Sequence, residues 1–137
     1  MESDLADTAT FVTLLAARID LTRHQLTYVD AGHGMGAIVT RTGDRSELHS
    51  EGLPLGGPRL SPYEAGSVAI EPGDTFVCVS DGLLDLFPSF SEAAEALRRT
   101  VASSGSAREV VDRVVAYGRR HGATDDVTVV ALRRDDA

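Results

Sequence analysis

The chain has 137 residues, 42 % hydrophobic and 25 % charged, the balance of an ordinary globular domain rather than a disordered tail or a fibre. No apolar run approaches the roughly 20 residues of a membrane-spanning helix, and the acidic start MESDLADTAT reads as neither signal nor transit peptide. The 21 acidic residues outnumber 13 basic ones, all arginine, and the net charge of −8 argues against binding to nucleic acid or to an anionic membrane.

Phe11 to Asp20 is apolar and β-branched without a breaker and reads as a buried strand. After the polar turn Leu21-Thr22-Arg23, His24 to Asp30 alternates through Leu26, Tyr28 and Asp30, so the two segments form an antiparallel hairpin. Gly32-His33-Gly34-Met35-Gly36 punctuates the chain before a third strand, Ala37 to Arg41. Thr42 to Arg45 is a turn that returns through Ser46 to His49. Ser50 to Gly66 is rich in Pro and Gly and reads as a long functional loop. Two further strands, Ser67 to Ile70 and Thr75 to Ser80, flank a tight turn at Glu71-Pro72-Gly73-Asp74. The second is apolar on both faces, as a central strand should be. It carries the single cysteine, Cys78, expected as a small core residue. One cysteine cannot form an internal disulfide, which points to a reducing cytoplasm.

Beyond Pro88 the apolar period lengthens. Ser91 to Val101 is a helix with Ala94, Leu97 and Val101 on one face. Ser106 and Glu109 form a capping box opening a second helix, with Val110, Val111, Val114 and Val115 at helical spacing. Arg119, Arg120 and His121 suit its last turn, and Gly122 is its stop. Val127 to Leu132 is the final strand. Strands first and helices late make the chain α+β.

Two motifs can carry chemistry. Ser80-Asp81-Gly82 sits where a buried strand ends; Asp81 either caps a short helix at Leu83 to Leu86 or holds its carboxylate toward a metal or substrate. Asp125-Asp126 lies just before the last strand, and adjacent carboxylates repel unless solvated or neutralised by a cation. They are either a solvated turn or oxygen ligands for a hard cation such as Mg²⁺. If the strands at Thr75 to Ser80 and Val127 to Leu132 are neighbours, Asp81 and Asp125, 44 positions apart, reach one edge of the sheet. His33, in its glycine-flanked turn, is a weaker candidate. The chain has no P-loop, paired CxxC, HExxH or GxSxG motif.

In order along the chain, FVTLLAARIDLTRHQLTYVDAGHG, GLPLGG, EPGDTFVCVSDGLLD and ATDDVTVVALR resemble the PPM-type (protein phosphatase 2C-like) serine phosphatases. The nearest branch is the bacterial stage II sporulation protein E and sigma-factor-regulatory group. The resemblance implies an αββα sandwich of antiparallel sheets flanked by helices, with two Mn²⁺ or Mg²⁺ ions at one end. It implies metal-activated water rather than an enzyme nucleophile, and a phosphorylated protein substrate such as an anti-sigma-factor antagonist. By resemblance Asp81 and Asp125 are metal carboxylates and Gly82 offers its backbone to the same ion. Asp126 and His33 would stand behind the direct ligands.

One family element has no counterpart here. A Gly-Asp-x-x-Gly-His-Gly motif supplies a further metal aspartate upstream of the block that begins at Phe11, and neither Asp4 nor Asp7 matches it. Residues 1–137 therefore read as one phosphatase-like domain without its N-terminal metal-binding segment, holding at most one ion. The alternative is a non-catalytic interaction module in sigma-factor or stress signalling. An uncovered sheet edge would also favour a homodimer.

Overall fold

Alternation in the second strand organises the first sheet. The computed structural model describes residues 10–48, 52–56 and 62–135, so Asp4, Asp7, His49 and much of the Pro/Gly-rich loop lie outside the described residues. Seven strands are described: β1 (Leu14–Asp20), β2 (Gln25–Ala31), β3 (Gly36–Val39), β4 (Arg45–Glu47), β5 (Gly66–Ala69), β6 (Thr75–Val79) and β7 (Val129–Arg133). Three helices, α1 (Asp81–Leu84), α2 (Phe90–Ala102) and α3 (Ala107–Arg120), lie between β6 and β7. The chain divides into two compact units, one carrying β1, β2 and β5, the other β4, β6, β7 and the helices together with β3 from Ala37 onward.

In the first unit β2 is the middle strand, antiparallel to β1 and to β5. Leu26, Tyr28 and Asp30 are buried, as the alternation requires. β1 departs from expectation: it starts at Leu14 rather than Phe11, and it is an edge strand instead of a buried one. Leu14, Ala16, Ala17 and Arg18 are exposed. An apolar run records a strand's propensity, not its place in the sheet.

The second unit is a four-stranded sheet in the order β4-β3-β6-β7, with β6 antiparallel to β7 and β3 to β4. Thr75, Val77 and Val79 are buried, while Phe76 and Cys78 are half-buried. Cys78 is therefore not a core residue, because it shares with Phe76 the more open face of β6. Val110 and Val114 of α3 are buried, and α3 packs against β7 and α2. Both helices begin as serine signals dictate. Ser89 and Ser106 accept hydrogen bonds from the amides of Glu92 and Glu109, at 3.2 and 3.1 Å. Gly122 follows α3 in the left-handed conformation, at φ 69°. Buried Asp74 closes the turn into β6, its two carboxylate oxygens accepting the amides of Arg41 (2.9 Å) and Glu71 (2.8 Å).

The β1–β2 turn is held by Asp20. Its Oδ1 accepts from the Thr22 hydroxyl at 2.7 Å and from the amides of Thr22 (3.0 Å) and Arg23 (3.1 Å). The Thr22 hydroxyl above all, aided by the Arg23 amide, holds the Asp20 carboxyl below its ordinary value. A carboxylate with a depressed folded-state pKa contributes stability above its unfolded value and loses it as pH falls through the folded one. Asp20→Asn keeps an acceptor and removes the charge. The variant should therefore show a flatter fall of the urea midpoint than wild type between about pH 5 and pH 2. Identical pH profiles would show that Asp20 does not titrate through this turn.

Candidate functional site

The pairing of Val79 with Val129 places the C-terminal end of β6 beside the N-terminal end of β7. The segments that continue from those ends carry Ser80-Asp81-Gly82 and Asp125-Asp126-Val127-Thr128. The structure thus brings the two motifs to one end of the second unit's sheet. Ser80 joins them through three hydrogen bonds. Its amide donates to the Thr128 carbonyl at 2.9 Å, while its hydroxyl accepts the Thr128 amide at 2.9 Å and donates to the Asp126 carbonyl at 3.1 Å.

Gly82 makes the approach possible. A Cβ at this position would overlap the Asp126 carbonyl oxygen and would lie 3.3 Å from that of Asp125. The obstacle is backbone, which cannot rotate aside as a side chain does. Asp81 occupies the first turn of α1 and is exposed, and Ser80 stands at the N-cap position. Asp81 is therefore not the cap of a helix at Leu83 to Leu86, because that helix begins at Asp81 itself. Among the described residues, none donates a hydrogen bond or forms an ion pair with the Asp81 carboxylate. Asp125 and Asp126 are also exposed, and Asp125 Oδ1 accepts the Asp126 amide at 2.8 Å. Asp126 enters the arrangement through its carbonyl, held by Ser80, rather than through its carboxylate.

The donors that these adjoining segments carry are hard oxygens: two exposed carboxylates, Asp81 and Asp125, beside a tight backbone cradle. That set suits a divalent cation that takes one or two protein carboxylates and completes its shell with water. Among the described residues no group of three or more His, Cys, Asp or Glu side chains gathers around one point.

His33 belongs to the first unit, where its turn has a support that sequence reading missed. Asp30, 2 % exposed, accepts the His33 amide on Oδ1 at 2.7 Å and the Gly34 amide on Oδ2 at 2.8 Å. Gly32 has φ 75°, and a Cβ there would lie 2.6 Å from Pro54 Cδ. A buried carboxylate and a close proline contact thus fix the turn, which lacks prolines of its own. The signal for Asp30 was its place in the β2 alternation, an acid where an apolar residue is usual.

With this geometry in place, comparison with known proteins is decisive for class. The family model for Stage II sporulation protein E (SpoIIE) matches residues 1–135, and the chain belongs to that family. It is 26 % identical over 136 residues to the phosphoserine phosphatase RsbU of Bacillus subtilis, covering 93 % of this chain and 40 % of that protein. It spans less than half the length of the curated relatives it matches. The crystal structure of the RsbU and RsbW domains of Rv1364c from Mycobacterium tuberculosis is similar at TM-score 0.75 and 24 % identity, covering 90 % of this chain and 36 % of that one. The SpoIIE phosphatase domain from Bacillus subtilis (Mn presoaked) is similar at TM-score 0.70 and 22 % identity, covering 91 % and 57 %. The fold is therefore that of the PP2C-like phosphatases, α+β with antiparallel sheets and helices.

The Gly82 cradle is open to a direct test. Gly82→Ala gains about 1 kcal/mol of helical preference, while overpacking against fixed backbone costs about 1–3 kcal/mol. A net loss of up to about 2 kcal/mol is expected in urea unfolding, with chemical shifts moving at Asp125 and Asp126. A more stable variant with unmoved shifts would show that the close approach to Asp126 is not tight.

Proposed function

We propose that this chain is part of a divalent-metal-dependent phosphatase domain that removes phosphate from serine or threonine in a partner protein. The observation that supports the reading is the β6–β7 pairing, which brings the segments carrying Asp81 and Asp125 side by side, in a chain of the SpoIIE family. Asp81 and Asp125 would hold one Mn²⁺ or Mg²⁺, with the Gly82 backbone beside it. When bound, such an ion lowers the pKa of its water and neutralises phosphoryl oxygens. Asp81, presented from the first turn of α1, supplies a carboxylate that no described residue engages. Asp125 is oriented by the hydrogen bond of its Oδ1 with the Asp126 amide, which leaves the other oxygen for the ion. Asp126 acts behind these ligands through its carbonyl, which Ser80 holds.

The relative RsbU is a phosphoserine phosphatase, and the resemblance to the sigma-regulatory branch makes a phosphorylated anti-sigma-factor antagonist the proposed substrate. A cytoplasmic location follows from that substrate; among the described residues no helix is long and apolar enough to cross a membrane. A second reading, a phosphatase-like module that binds a phosphoprotein without turning it over, is favoured by the lack, among the described residues, of any group of three metal-ligating side chains.

Mn²⁺-dependent release of phosphate from a phosphoserine protein separates the two readings. Turnover that disappears in Asp81→Asn supports the phosphatase; phosphoprotein binding without turnover supports the module. Asp125→Asn tests the metal independently of activity. It keeps the Oδ1 acceptor for the Asp126 amide, so the metal-free protein should melt within about 0.5 kcal/mol of wild type. Added Mn²⁺ at 100 times its Kd should stabilise wild type by about 2.7 kcal/mol and the variant by nothing measurable. Equal stabilisation of both proteins would remove Asp125 from the site.

A further inference from the structure

A serine at a helix N-cap ordinarily turns its hydroxyl inward to accept an amide of the first turn. Ser80 occupies that position before α1 with extended backbone, φ −82° and ψ 163°, yet its side chain makes no capping bond. Its backbone carbonyl takes the Leu83 amide instead, at 3.2 Å. The hydroxyl reaches across to the other segment, accepting the Thr128 amide and donating to the Asp126 carbonyl at 2.9 and 3.1 Å. Both hydrogen-bonding capacities of the hydroxyl therefore lie on the segment that carries Asp125, three residues before Thr128.

This choice has a geometric consequence. The ladder proper ends at the Val79–Val129 pair. Beyond it, two bonds of the Ser80 side chain, one of its amide and the seat of the Asp126 carbonyl on Gly82 set the position of residues 125–128 against residues 80–82. Asp81 follows Ser80 directly, and Asp125 directly precedes Asp126. Two of the bonds that hold residue 81 near residue 125 thus belong to one hydroxyl.

We infer that Ser80 is a positioning residue that sets the distance between Asp81 and Asp125, and through it the affinity for a divalent cation. The inference rests on the proposal that these two aspartates hold such an ion. Alanine removes both hydroxyl bonds and leaves the Thr128 amide without its side-chain acceptor. Threonine retains them.

The test is calorimetric titration of the full chain with MnCl₂ alone, with a chelator control, at a temperature where every variant shows the circular dichroism of wild type. Hydrogen exchange at the Thr128 amide is followed in parallel. Ser80→Ala should bind Mn²⁺ at least tenfold more weakly than wild type and exchange the Thr128 amide faster. Ser80→Thr should recover wild-type affinity within about threefold, and Asp125→Asn should not bind. If Ser80→Ala does not fold, Ser80→Cys, which nearly preserves volume, is read in its place with the same expected loss. Wild-type affinity in the alanine or cysteine variant, with binding absent in Asp125→Asn, overturns the positioning role and leaves the metal reading standing. Absence of Mn²⁺ binding in wild type, or equal binding in Asp125→Asn, overturns the metal reading and the inference with it.

Discussion

Antiparallel pairing of β6 with β7, from Thr75 opposite Arg133 to Val79 opposite Val129, is the constraint on which the second unit depends. The two strands are separated in sequence by all three helices. Closing so long a connection costs loop entropy before any contact forms. Burial of Val77 and Val79 in β6 and of Val110 and Val114 in α3 supplies the offsetting term. The same register that buries these valines decides which residues emerge at the sheet's end. A slip of one residue would exchange the faces of β7 and displace Asp125 from Asp81.

Arginine reinforces this arrangement from within the acidic chain. Arg133 donates from Nε to the Thr75 hydroxyl at 2.9 Å, from Nη1 to the Ser104 carbonyl at 2.7 Å and from Nη2 to the Val101 carbonyl at 3.2 Å. One guanidinium thus ties β7 to β6 and to the C-terminal end of α2, where a cation meets carbonyls that lack helical partners. Arg113 of α3 reaches the same end, donating to the Ser103 hydroxyl at 2.8 Å and to the Ser104 hydroxyl at 3.0 Å. These bonds lock the α2–α3 turn and hold α3 over β7. Arginine suits the task because its planar fork serves several acceptors at once.

What the sequence made legible was local. The Ser106 cap, the β2 alternation, the Gly122 stop and the Asp-Gly step at the end of β6 are each specified within a few residues, and the structure has them. Non-local facts were out of reach. The edge position of β1 depends on which strands pair, not on Phe11 to Asp20 themselves. Cys78 looked like core because its neighbours are apolar, but only the sheet decides which face of β6 is covered. The same holds at the site: Asp81, Gly82 and Asp125 were visible as motifs, whereas the Ser80 hydroxyl acquires its role only once Thr128 lies beside it.

The acids of this chain differ in what their carboxylates do. Asp20, Asp30 and Asp74 each accept two or more hydrogen bonds from nearby polypeptide and thereby fix a turn. Glu95 is held by Arg98, whose Nε and Nη2 donate to it at 2.9 and 2.7 Å. Such groups are occupied, and binding a cation through them would require breaking the turn or the pair. Asp81 and Asp126 differ, since no described residue engages either carboxylate, while Asp125 engages only its neighbour's amide. Asp81, Asp125 and Asp126 are all exposed, on the two segments that Ser80 and Gly82 hold together. The valine burial and the Arg133 bonds that support the unit do not involve these carboxylates. A site whose supports are independent of its charges can keep those charges available for a ligand.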